Sequence, residues 1–213
     1  MTIADVLNLS IPENFGADDD SNVTPAMEEV YEQLDSSVRT AYGASKFVIF
    51  LNEKEVVKIP FNGSYYYENS NDDDDESEPI FDSFCTEDYC AVEAEVYTHA
   101  VVAGVEKFFT KTEYVGVSAS GTPIYVAERC ERTYSYRTDG SSCSKDSLTK
   151  AKNMNSSLPS GFLGLCIDYA GEEAAIALNK FIEEEGIGDL HDGNLGFRAN
   201  GFPVIIDYSD FNS

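Results

Sequence analysis

Asn200-Gly201 stands between two short apolar runs, Leu195-Gly196-Phe197 and Phe202-Pro203-Val204-Ile205-Ile206. Asn-Gly adopts left-handed backbone at low cost, and between apolar runs it predicts a β-hairpin. A hairpin sets its two open ends side by side, so Asn194 and Asp207 become neighbours. Asp189, in the loop DLHDGN just before the hairpin, then faces the same space. Three polar groups converge at the mouth of one apolar hairpin, and the rest of the chain has to supply the core beneath it.

Upstream, the pattern alternates between helix and hairpin. TPAMEEVYEQLDSSVRTAY begins with Thr24 as N-cap and Pro25 at the first helical position, predicting a helix of three to four turns. ASKFVIFLNEKEVVKIPF and YVGVSASGTPIYVAERC read as hairpins, turning at Asn52–Glu55 and Gly121–Pro123. CAVEAEVYTHAVVAGVEKFF has helical spacing closed by Gly104, and CIDYAGEEAAIALNKFIEEEG reads as one helix ending at Gly186. Between them, ERTYSYRTDGSSCSKDSLTKAKNMNSSLPSG is polar and aperiodic, a linker or insertion. The predicted class is α+β. Its parts are an acidic arm and helix over 1–36, a sheet-rich region over 37–130 with an acidic insertion at 65–80, a polar insertion over 131–161, and a final region over 162–213.

Composition narrows the function. A formal charge of -25 over 213 residues repels phosphate backbones and anionic lipid, so neither nucleic acid nor a membrane is an expected partner. The same charge suits solubility, or imitation of nucleic acid. No apolar run reaches the roughly 20 residues of a membrane span, and the first residues have neither a basic start nor a cleavage site, so a soluble cytoplasmic protein is expected. Five cysteines at unpatterned spacings and two histidines argue for free thiols and against zinc.

An amide oxygen and a carboxylate at the mouth of the hairpin are hard donors of the kind Mg²⁺ takes, usually with only one or two protein carboxylates. A carboxylate beside such an ion stays ionised and can orient an attacking hydroxyl. In these residues the chain resembles the protein kinase-like superfamily, whose catalytic loop has an Asp and, five positions on, an Asn, followed across a hairpin by a metal-binding Asp. DLHDGN is closer in wording to the aminoglycoside phosphotransferase-like and other atypical branches. The resemblance implies Asp189 as catalytic aspartate, with His191 after it, and Asn194 and Asp207 as metal ligands.

It also implies a protein kinase-like two-lobed fold, with an antiparallel-sheet N-lobe and a minimal C-lobe, since six residues follow Asp207. EVVKIPF resembles the strand carrying the phosphate-binding lysine, here Lys58. AVEAEVYTHA resembles the helix carrying its glutamate partner. Glu93 and Glu95 are two apart and cannot share a helical face; Glu95 is taken first and Glu93 second. AYGASKFVIF stands at the Gly-rich loop, so Gly43 and Ser45 would contact phosphate, and GTPIYVAERC at the hinge, so backbone groups of Glu128 and Cys130 would contact adenine. The implied cofactors are ATP and Mg²⁺. The implied activity is Ser/Thr protein kinase, of the small bacteriophage sort that modifies host proteins in defence, transcription or translation. Autophosphorylation and a dimer are compatible with it. A pseudokinase or acidic decoy, and an aminoglycoside-type phosphotransferase, are the alternatives.

Overall fold

The β-branched and aromatic stretch Lys46–Phe50 pairs antiparallel with Glu55–Pro60, Val48 opposite Lys58 and Phe47 opposite Ile59. In the computed structural model of this chain, these two strands (β3 and β4) form the middle of a five-stranded sheet. The structure describes residues 1–18, 22–66, 80–83, 88–132 and 138–209. They divide into two compact units, one of 1–91 with 113–127, the other of 92–112 with 128–213. The class is α+β with largely antiparallel sheets, as expected from sequence.

In the first unit the sheet order is β2 (Thr40–Tyr42), β3, β4, β8 (Pro123–Glu128), β7 (Thr112–Val117). Both expected hairpins are there, β3 with β4 and β7 with β8. A second sheet of β1 (Gly16–Asp18), β5 (Gly63–Tyr66) and β6 (Ile80–Ser83) has a parallel β1–β5 pair. Phe15, Met27, Val30, Phe47, Ile49, Ile59 and Ile124 are fully buried and make the core. The acidic run Asp72–Glu76 joins β5 to β6 and lies outside the described residues.

The N-terminal arm is more structured than its sequence pattern suggests. Thr2 and Asp5 form a capping box on the helix α1 (Ile3–Leu7), and residues 16–18 make β1. Thr24 caps the next helix as expected, its Oγ1 accepting from Met27 N at 3.2 Å. That helix, α2, covers only Pro25–Tyr31, two turns rather than three or four. Beyond it, Asp35 and Ser37 compete with the helix: the Asp35 carboxylate accepts from both the N–H and the hydroxyl of Ser37.

The second unit is mainly helical. Most of α3 (Tyr89–Ala103) belongs to it, together with α4 (Lys145–Asn153), α5 (Ser160–Ala170) and α6 (Glu172–Glu185). Two sequence expectations are corrected here. The polar stretch after Glu131 is not purely a linker: it holds the two-residue strand β9 (Glu131–Arg132) and α4, capped by Ser144. Residues 133–137 of that stretch lie outside the described residues. The long helix expected before Gly186 is two helices, because Gly171 has φ +89° and ends α5. Their apolar faces bury Phe162, Leu163, Cys166, Leu178 and Ile182 against Val96, Phe109 and Leu195. The four described cysteines, Cys90, Cys130, Cys143 and Cys166, are free thiols. No helix among the described residues is long and apolar enough to cross a membrane.

Candidate active site

Gly186 closes α6 in left-handed backbone, φ +70°, and from there the chain enters DLHDGN. Ile187 and Leu190 are buried and pin this loop to the core. Between and after them, Asp189 and His191 stand about half exposed. The alternation leaves two polar side chains at the surface on a loop anchored by its apolar members.

A turn of 3-10 helix, Asp192–Asn194, follows. His191 caps it, Nδ1 accepting from Gly193 N at 2.9 Å, while its Nε2 stands 3.4 Å from Asp189 Oδ2. Asp192 accepts from the hydroxyl of Thr138 at 2.7 Å. Asn194 donates through Nδ2 to the Asp189 carbonyl at 2.7 Å and to its carboxylate Oδ2 at 2.9 Å. With both amide bonds aimed at Asp189, the amide oxygen of Asn194 is left as an acceptor.

The Asn-Gly hairpin forms as expected. β10 (Leu195–Phe197) pairs with β11 (Pro203–Ile205), and Gly201 turns the chain at φ +82°. β9 adds to the other side of β10. At the open end, the Asn194 carbonyl accepts from Ile206 N at 2.8 Å and Asp207 N at 3.3 Å. Asp189, Asn194 and Asp207 are thus brought together, the first two through side chains and the last two through backbone. Asp207 is half-buried, and its Oδ1 accepts from Ser209 Oγ at 3.1 Å.

The two glutamates on α3 differ in burial. Glu95 is exposed and lies 4.0 Å from His99 on the same helix, whereas Glu93 is fully buried and accepts from Thr112 Oγ1 at 3.2 Å. Glu93 is the interior carboxylate, and Glu95 is a surface residue. Tyr208, also buried, donates to the Thr110 carbonyl at 2.6 Å and lies 3.4 Å from Thr112 Oγ1. Burial, and next the nearby charge of Glu93, push its phenol well above the ordinary range.

In the first unit, Lys58 is buried on β4. Gly43 is exposed in the β2–β3 turn, its N–H bonded to the Lys46 carbonyl at 3.1 Å. Half-buried Ser45 accepts at its carbonyl from Phe61 N. Glu128, expected to offer its backbone to a base, has its N–H committed to the Lys111 carbonyl at 3.0 Å, so that donor is not available. Cys130 is half-buried.

Arg198 and Thr138 were not singled out by sequence. Arg198 forks onto the Glu128 carboxylate, Nε at 2.8 and 3.0 Å and Nη2 at 2.9 Å, and also donates to the Phe109 and Lys107 carbonyls. Its place at the start of the Asn-Gly turn was the one signal available. Thr138 had none, because its partner lies 54 positions away.

Among the described residues, no group of three or more His, Cys, Asp or Glu is placed to hold a metal. In donor chemistry alone, an amide oxygen such as that of Asn194 and a carboxylate such as that of Asp207 are of the kind Mg²⁺ takes, since it keeps several waters and uses one or two carboxylates.

No family model matches the chain, and no curated protein matches it. Among solved structures, it is similar to the bifunctional kinase-methyltransferase WbdD, with a TM-score of 0.28 and 12% identity. The match covers 78% of this chain and 29% of that one, so the chain spans less than a third of that structure's length. A likeness at this level carries no argument about activity.

Proposed function

We propose that this chain is a protein kinase-like phosphotransferase that uses ATP and Mg²⁺ to phosphorylate serine or threonine of a protein. The observation that carries this reading is the placement of Asn194: its side chain holds the Asp189 carboxylate, and its carbonyl accepts from the N–H of Asp207. Phosphoryl transfer asks a protein mainly for positioning and charge neutralisation; this arrangement supports the positioning, and neutralisation would fall to Mg²⁺ and Lys58.

In this reading, Asp189 accepts and aims the proton of the attacking hydroxyl. Asn194 keeps its carboxylate oriented, and His191 flanks it at 3.4 Å. The Asn194 amide oxygen and the Asp207 carboxylate would hold Mg²⁺, which when bound neutralises the phosphate oxygens. Lys58 takes the phosphates, and the backbone at Gly43 and Ser45 covers them. Cys130 and the carbonyl of Glu128 contact the base. Glu93, being interior, takes the acidic role first given to Glu95. On the same resemblance, the chain has two lobes, comes from a bacteriophage, and acts in the host cytoplasm on a protein of defence, transcription or translation.

A second reading rests on the charge of -25. A decoy that imitates nucleic acid would use that field to bind a host protein without chemistry. An aminoglycoside-type transferase is a third reading, supported by the wording DLHDGN.

The purified native chain and Asp189→Ala, each incubated with γ-labelled ATP, Mg²⁺ and a bacterial lysate, separate these readings. Label on protein with the native chain alone supports the kinase. Label on an aminoglycoside instead supports the third reading. Equal labelling by both forms overturns the role of Asp189, and no labelling with tight capture of a DNA-binding protein favours the decoy.

A further inference from the structure

Asp207 is held between residues that are all tied to Thr110. Thr110 N donates to the Ile205 carbonyl at 3.0 Å, Thr110 Oγ1 stands 3.5 Å from the Ile206 carbonyl, and Tyr208 OH donates to the Thr110 carbonyl at 2.6 Å. Ile206 and Asp207 are half-buried, while Ile205 before them and Tyr208 after them are buried. The Phe109 ring meets the Tyr208 ring edge-on at 5.1 Å, which fixes the plane of the phenol.

The contacts continue past Thr110. The Tyr208 hydroxyl lies 3.4 Å from Thr112 Oγ1, and Thr112 donates to the Glu93 carboxylate at 3.2 Å. Tyr208 and Thr112 are both buried, as is Glu93, so these hydrogen bonds lie away from solvent, where an unmade one is costly. A phenylalanine could fill the same space and keep the ring contact. The hydroxyl is what only tyrosine brings, and it is spent on the two threonines.

We infer that Tyr208 is a positioning residue: its hydroxyl, held by Thr110 and Thr112, sets the direction of the Asp207 carboxylate and links it to Glu93 on α3. This rests on the proposed phosphotransferase reading, in which Asp207 holds the metal. Tyr208 touches neither metal nor substrate in that scheme and acts through its neighbour. If Tyr208 loses its hydroxyl, Asp207 keeps its backbone bond to Asn194 and the Ser209 hydroxyl on its Oδ1, but loses the anchor of the residue next to it.

The test compares the native chain with Tyr208→Phe, Thr112→Val and Thr112→Ser, reading Mn²⁺ affinity by electron paramagnetic resonance and the kcat and KM for ATP of phosphoryl transfer. Tyr208→Phe is expected to weaken Mn²⁺ binding and lower kcat each by about tenfold, roughly what one buried hydrogen bond is worth, with the KM for ATP changed less than about twofold. Thr112→Val should have a similar effect, the two together should lose less than the sum, and Thr112→Ser should retain native values. A purely structural tyrosine would lower the melting temperature without moving Mn²⁺ affinity or kcat. That result in Tyr208→Phe, or in Thr112→Val should the first variant fail to fold, overturns the inference and leaves the phosphotransferase reading standing. A native chain that neither binds Mn²⁺ nor transfers phosphate overturns both.

Discussion

Asn194 donates to both the carbonyl and the carboxylate of Asp189, at 2.7 and 2.9 Å, across a loop of five positions. The amide therefore fixes the backbone of the aspartate and its side chain at once. Asn194→Ala removes both bonds and is expected to lower phosphoryl transfer by on the order of 100-fold or more, the range for losing a positioned proton acceptor. Asn194→Asp sets a second carboxylate against the first and should do at least as much harm. Labelled-phosphate transfer measures the loss, and unchanged circular dichroism shows that the fold is kept. Activity near the native level in Asn194→Ala would remove the observation on which the proposed function rests.

What could be read from the sequence was what is encoded locally. The hairpin at Asn200-Gly201 and the cap at Thr24 are short-range chemistry, and both form as expected. The helix α4 escaped notice because KDSLTKAKN is polar and its capping serine is itself held by Asp168, 24 positions on, which accepts from Ser144 N at 2.6 Å and from Ser147 Oγ at 2.6 Å. Which of Glu93 and Glu95 is interior was not legible for another reason. Helix α3 is apolar on most sides, with Val96 and Ala100 buried but Val101 and Val102 exposed, so its periodicity does not say which face is inside. The contact of Thr138 with Asp192 depends on tertiary placement, which no spacing rule carries.

Gly161 lies where no side chain fits. A Cβ built there would stand 2.0 Å from the Thr138 carbonyl oxygen and 2.4 Å from Gly140 N, and both obstacles are backbone. Neither can swing aside as a side chain would. Gly161→Ala is expected to destabilise the chain by about 3 kcal/mol, seen as a lowered urea midpoint, because the 138–140 segment must be displaced from α5. Because Thr138 also holds Asp192, phosphoryl transfer should fall along with stability.

Arg198 gathers the Glu128 carboxylate and the carbonyls of Lys107 and Phe109 on one guanidinium. Its planar fork satisfies groups that a lysine, with a single ammonium, could not reach together. Arg198→Ala should cost about 2 kcal/mol, and Arg198→Lys should recover less than half of it. Glu128→Gln, which keeps one acceptor for the guanidinium, should cost less than Arg198→Ala. Urea unfolding of the three variants checks the order, and a lysine variant equal to the native chain would show that charge alone is at work.

His99 on α3 stands 2.9 Å from the Glu185 carboxylate at the end of α6, four positions before Asp189. The hydrogen bond to Glu185, and next its charge, raise the imidazole above its ordinary value of 6.5, while Glu95 on the same helix stands at 4.0 Å. A group whose folded value is raised contributes stability that is fully present below the unfolded value. That contribution is lost as pH rises through the folded value. The native chain should therefore melt higher than His99→Gln in mildly acidic buffer, and the difference should shrink as pH rises past neutrality and vanish in mild alkali. Added salt should narrow the acidic difference, since the pair is partly exposed. Melting curves of both forms from acid to alkali test this, and a difference that grows with pH would mean that the neutral imidazole is the form that stabilises the fold.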